Sequence, residues 1–261
     1  MNLKQLSNKV NSIYFIDSPS FKVIASKQKE LLAIMGASTS INKISTIEIE
    51  NYIQTLKDKG NKPATINSKL MYLSKLLTYA LRAGLIQSKP YIPIMKIKAF
   101  KEVYLTPADI DFMAQWALQN NFQELYQVII IGYNSGMRIS NILSILEEDI
   151  DNNYIRIWEN KTNKPYSIPM NTALQELFKN YKPFTLNYRQ IQYQWTQMIK
   201  ALNMDKRITI HTLRHSTCAK LVKEGIALPV VQAIMNHKNI QTTMRYNHLS
   251  NKQLENAVCM L

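Results

Sequence analysis

Arg138, Lys161, His211, Arg214, His237 and Tyr246 are the residues whose types and order could do chemistry on an anion. His211-Thr212-Leu213-Arg214-His215 opens a helical stretch that ends near Gly225. Residues three and four apart share a helical face, so His211, Arg214 and His215 should project together, with Leu213, Leu221 and Val222 toward the core. A histidine beside an arginine is a poor core pair unless something anionic lies between them. His211 and His215 also have the i, i+4 spacing of a zinc-binding helix, but no glutamate lies between them and Arg214 is a bad neighbour for a cation. Arg138 falls in Asn134-Ser135-Gly136-Met137-Arg138-Ile139-Ser140, where one helix breaks and another begins. It sits on the wrong side of the helix dipole for stability, yet it is well placed to meet an anion drawn to that terminus. Lys161 and Lys164 occupy a polar turn, where a mobile lysine can reach a phosphate or donate a proton. Each residue also has a bland reading: a solvated helix start, a surface arginine, a turn lysine, a tyrosine filling core or surface.

These groups need elements to position them, and the patterning predicts mostly helices. Ser45-Thr46-Ile47-Glu48 has capping-box spacing, and Ile49, Tyr52, Ile53 and Leu56 follow on one face before Gly60. Pro63 suits a first helical turn, with Ile66, Leu70, Leu73, Leu77 and Leu81 at helical spacing until Gly84. A further helix is expected from about Ser20 to Met35. Short helices with single apolar stripes make a bundle. Residues 88–103 contain Pro90, Pro93 and four lysines and read as an extended linker. Thr106-Pro107-Ala108-Asp109 then starts a new helix with a cap, a first-turn proline and an acid near the terminus. The one clear β signal is a hairpin, Tyr154–Trp158 and Tyr166–Pro169, around Asn160-Lys161-Thr162-Asn163-Lys164. Beyond Thr172 the pattern is helical almost to the end.

Composition limits the partners. The chain has 261 residues, is 46% hydrophobic and 19% charged, and carries a formal net charge of +14. That is globular composition with the charge excess of a protein that meets a polyanion, nucleic acid being the commonest. Residues 1–100 hold 15 Lys and Arg against 5 Asp and Glu, so most of the excess lies there. Cys218 and Cys259 lack metal-ligand spacing and form no disulfide framework, which points to a reducing compartment. No apolar run reaches the roughly 18–20 residues needed to span a bilayer, and the first residues lack a signal-peptide core. A cytoplasmic, nucleoid-associated location is expected.

The ordered combination carries the decisive signal: Arg138, a hairpin lysine, His211-x-x-Arg214-His215, His237, then Tyr246 nine residues later. This resembles the tyrosine site-specific recombinase (phage integrase) family, in its pattern of arginine, β-hairpin lysine, H-x-x-R, His or Trp, and tyrosine. SGMRISNILSI resembles the family's box around its first arginine; HTLRHSTCAKLVKEGI and IMNHKNIQTTMRYNHL resemble its second. The resemblance covers about residues 103–261. It implies a helical core-binding DNA clamp over 1–87, a linker over 88–103, and a mainly α catalytic domain with a small β-hairpin over 104–261.

It further implies that Tyr246 attacks a scissile phosphate and that Arg138 and Arg214 fork onto the non-bridging oxygens. Lys161 is then the general acid for the 5′-oxygen, with Lys164 as its understudy. His211 handles the tyrosine proton, and His237 hydrogen-bonds a non-bridging oxygen. No cofactor or metal takes part. His215 follows the common form of the motif and is expected to support rather than act. The implied partner is a double-stranded recombination site, bound by a homotetramer, with accessory DNA-bending or directionality proteins and no membrane. A tail helix over residues 247–261, with Leu254 and Val258 on its apolar face, is expected to couple protomers. One departure stands out: the acidic residue the family often has three after the first arginine is Asn141 here. Two other classes fit parts of the pattern. A type IB topoisomerase uses the same chemistry but usually lacks a residue like His211, and a decayed recombinase could serve as a non-catalytic DNA-binding regulator.

Overall fold

The computed structural model describes residues 1–97, 102–151, 153–159 and 164–247. The chain divides into two compact units, residues 1–100 and 101–261.

The first unit is a helical bundle: α1 (Leu3–Tyr14), α2 (Phe21–Met35), α3 (Thr46–Asp58) and α4 (Pro63–Arg82). Local signals explain the helix starts. The Ser45 backbone N–H donates to the Glu48 carboxylate at 2.9 Å, the reciprocal half of the expected capping box. Pro63 occupies the first turn of α4, where no intrahelical donor is needed. The α4 stripe buries Ile66, Leu70, Leu73 and Leu77 as the spacing predicts, but continues to Ala80. Leu81, one position further round the helix, stays exposed. Residues 83–97, after α4, form no helix or strand, yet they are anchored to the bundle. Ile92 and Met95 pack on the bundle core, and the Asn67 side chain bonds both the N–H and the carbonyl of Met95, at 2.8 and 2.9 Å.

The second unit contains α5 (Pro107–Gln119), α6 (Gln123–Ser135), the single turn α7 (Ile139–Ile142) and a three-stranded antiparallel sheet. Its strands are β1 (Ile150–Asp151), β2 (Tyr154–Glu159) and β3 (Lys164–Pro169), in that order. The hairpin is longer than the sequence signal suggested, and β1 is additional: two residues are too few to show an alternation. Helices α8 (Thr172–Phe178), α9 (Tyr188–Ala201), α10 (Ile210–Lys223), α11 (Leu228–Ile234) and α12 (Ile240–Met244) complete it. The core gathers Val128, Ile129 and Ile131 of α6, Trp195 of α9, Leu213 of α10 and the inner hairpin residues Ile155, Ile157 and Ile168.

Helices α6 and α10 approach closely because Gly132 has no side chain. A Cβ there would lie 2.8 Å from Leu213 Cδ1. Thr217 Oγ1 reinforces the crossing by donating to the Tyr133 carbonyl at 2.6 Å. A smaller apolar cluster holds Cys218, Ala219 and Val222 of α10 against Val231, Met235 and Tyr246. Lys161 and all but the first residue of the expected tail helix lie outside the described residues.

Candidate active site

Among the described residues, the two candidate arginines of the second unit meet at the C-terminal end of α11. The last carbonyls of a helix have no intrahelical donor and carry its negative dipole end, so they attract cations. Arg214 Nη2 donates to the Met235 carbonyl there, and Arg138 Nη2 donates to the next one, Asn236, at 3.2 Å. Arg214 Nη1 also donates to the Gly136 carbonyl at 2.6 Å. Two carbonyls from distant segments thus fix the plane of a guanidinium that is only 5% exposed. Among the described residues Arg214 pairs with no carboxylate. Burial, and then the neighbouring Arg138, lower its pKa to about 10, so it stays charged at neutral pH.

Gly136 makes this possible. It ends α6 in the left-handed conformation at φ 65°, and a Cβ there would lie 2.9 Å from the Met235 sulfur and still nearer its terminal methyl. The turn it creates releases the carbonyl to Arg214 and sets Arg138 as the residue capping α7.

The histidines frame the arginines. His237 Nδ1 lies 2.9 Å from Thr243 Oγ1, a wholly buried hydroxyl on α12, and this contact orients the ring. Burial, then Arg214 and Arg138, lower its pKa to about 4, so it is neutral near pH 7. His211 and His215 meet edge to face, with ring centroids 4.6 Å apart. Burial, His215 and the two arginines lower the His211 pKa to about 4 as well. His211 is also exposed to solvent, and water weakens that push.

Tyr246 is 3% exposed, and its hydroxyl is hydrogen-bonded to His215 Nδ1. The ring of Tyr104 packs against it, and Tyr104 in turn donates to Glu102 at 2.6 Å. Burial, and then Cys218, Glu102 and Tyr104, hold the Tyr246 hydroxyl well above the ordinary phenol range, with Arg214 pulling the other way.

The structure therefore brings together Arg138, His211, Arg214 and His237, with Tyr246 beside them and linked through His215. Lys161 lies outside the described residues. Sequence reasoning gave His215 only a supporting part and missed its bond to the phenol, though a histidine one turn after His211 was a signal. Thr243 and Tyr104 were missed too; their pairing depends on folding, and no spacing marks it. Asn141 does not stand alone: its Nδ2 donates to Tyr166 Oη at 3.0 Å. Among the described residues no group of three or more His, Cys, Asp or Glu is placed to hold a metal ion. No described helix is long and apolar enough to cross a membrane.

The model of the phage integrase family matches residues 104–253, a stretch that holds Arg138, His211, Arg214, His237 and Tyr246. The chain belongs to the phage integrase family. Among curated relatives of this integrase-family chain, a tyrosine recombinase of Pseudothermotoga lettingae is 23% identical over 99% of this chain and 93% of its own. The integrase of Escherichia phage P2 is 26% identical over 81% of this chain and 63% of its own. Solved structures share the fold. The Tn1549 transposon integrase in complex with a circular intermediate DNA superposes with a TM-score of 0.83 at 22% identity, covering 94% of this chain and 95% of that one. A lambda integrase tetramer bound to a Holliday junction gives 0.78 at 17%, covering 96% and 78%. The integrase-family chain is an enzyme of site-specific DNA recombination, a DNA strand transferase.

Proposed function

We propose that the chain cleaves and rejoins DNA through a 3′-phosphotyrosyl link formed by Tyr246. The Tyr246 oxygen bonds to phosphorus as the bond to the 5′-oxygen breaks, and the freed 5′-hydroxyl later reverses the step on the same or another strand. One phosphoester replaces another, so no external energy source is needed. The observation that carries this reading is the pair of guanidiniums, Arg138 and Arg214, aimed from successive helix-end carbonyls with the Arg214 charge desolvated. Planar forks suit the two non-bridging oxygens, and a dry site strengthens their pull on developing charge. A neutral His237 beside them can donate one further hydrogen bond. His211 handles the tyrosine proton, and Lys161 protonates the leaving 5′-oxygen. To attack, the Tyr246 hydroxyl exchanges His215 for phosphorus, which requires the segment after α12 to shift.

The basic first unit, residues 1–87 with the linker at 88–103, clamps the duplex while residues 104–261 carry the chemistry. Strand exchange involves two duplexes and four active sites, so the working form is a tetramer on DNA, in the cytoplasm where DNA lies. A nicked suicide substrate carrying the recombination site tests the scheme. Wild type should accumulate a covalent protein–DNA adduct, and Tyr246→Phe should form none while retaining DNA binding. An adduct surviving in Tyr246→Phe overturns the assignment of the nucleophile.

A further inference from the structure

The hairpin that carries Lys161 has an inner and an outer face. Along β3, Tyr166 and Ile168 point inward, pairing across the ladder with Ile157 and Ile155. Those isoleucines are buried in the core, and Tyr166 is partly buried against it. Among the side chains described on β3, Tyr166 is the inward one nearest residues 160–163, the strand connection in which Lys161 stands. A purely apolar residue would serve the packing at this place, yet the chain has a phenol, and its oxygen accepts a hydrogen bond from Asn141 Nδ2 at 3.0 Å. Asn141 belongs to the turn that Arg138 begins, and its backbone N–H donates to the Arg138 carbonyl at 2.8 Å. The same phenol is close enough to Arg214 to bear on its charge.

We propose that Tyr166 is a positioning residue for the proton donor: through Asn141 it ties the turn end of the β2–β3 hairpin to the helical turn that begins at Arg138. The inference rests on Lys161 being the general acid of the reaction described above. Without such a tie the hairpin end is free to drift relative to the phosphate, and proton delivery suffers before phosphate binding does. The amide at position 141 is what makes the bond possible in this direction, since it donates to the phenol oxygen and leaves the phenol proton for another acceptor.

Tyr166→Phe removes one oxygen and keeps the ring. The test uses two nicked substrates that differ at one atom, the ordinary duplex and one with sulfur in place of the bridging 5′-oxygen. When the phosphorus–sulfur bond breaks, the 5′-thiolate leaves without needing a proton. On the ordinary substrate Tyr166→Phe should form the adduct about 10-fold or more slowly, as outer partners of a working group commonly cost. On the sulfur substrate it should match wild type. Asn141→Leu, which removes the same bond from the other side, should show the same selective rescue if Tyr166→Phe folds poorly. An equal deficit on both substrates places the fault in phosphate binding or in the fold, and it overturns the proposal. So does the absence of any deficit. A wild type inert on both substrates refutes the catalytic reading itself, a result distinct from either.

Discussion

His237 shows how a single side chain can be assigned a charge state from its surroundings. The ring is bonded to Thr243 and feels two guanidiniums, and burial with those cations lowers its pKa from an ordinary 6.5 to about 4. Above pH 6.5 the folded and unfolded chains both hold it neutral, so its contribution to stability is complete there. Between 6.5 and 4 the unfolded chain takes up a proton that the folded chain refuses, and stability falls as pH falls. The melting temperature should therefore drop across this window, and His237→Gln should flatten the drop. Thermal melts of both proteins at stepped pH values measure it; parallel curves would contradict the neutral assignment. The residue types of this site were legible because phosphate chemistry admits few alternatives to arginine, histidine, lysine and tyrosine. Their partners were not. Arg214 is held by the Gly136 and Met235 carbonyls, and a backbone carbonyl leaves no mark in a sequence.

The joint between α6 and α7 does more for the site than either helix. Gly136 gives the chain a left-handed turn, yields its carbonyl to Arg214 and leaves room for Met235. Gly136→Ala should cost about 1–2 kcal/mol from the backbone conformation alone, and a chain of this length loses about 2–4 °C of melting temperature per kcal/mol. The added methyl must also push aside the end of the Met235 side chain, which belongs to the residue whose carbonyl holds Arg214. Adduct formation should thus fall further than DNA binding does, as gel shift and single-turnover cleavage measured on one preparation would show. An equal loss in both assays would argue for global destabilisation instead. Helix starts were readable for a physical reason: Ser45, Pro63 and Thr106 act on their own first turns. The two-residue strand β1 and the last turn of the α4 stripe were not, because what fixes them is the neighbour they pack against.

Across the whole molecule, charge and chemistry are divided between two units. Residues 1–100 carry most of the positive excess, whereas the guanidiniums that would meet the reacting phosphate are in the second unit. Affinity for DNA should fall steeply as salt rises, by about 0.9 in log–log slope for each phosphate neutralised. Cleavage by complexes already formed should respond far less, because water and ions reach a desolvated charge poorly. Titrations at stepped salt, paired with single-turnover rates at saturating protein, separate the two; a flat affinity curve would remove the clamp. Then there is the place where Tyr246 rests. A cell holds an immense number of phosphodiesters, and a strand transferase that could strike any of them would be a mutagen. In the single chain the Tyr246 hydroxyl is engaged by the His215 imidazole and walled in by side chains, so it does not stand open to passing phosphodiesters.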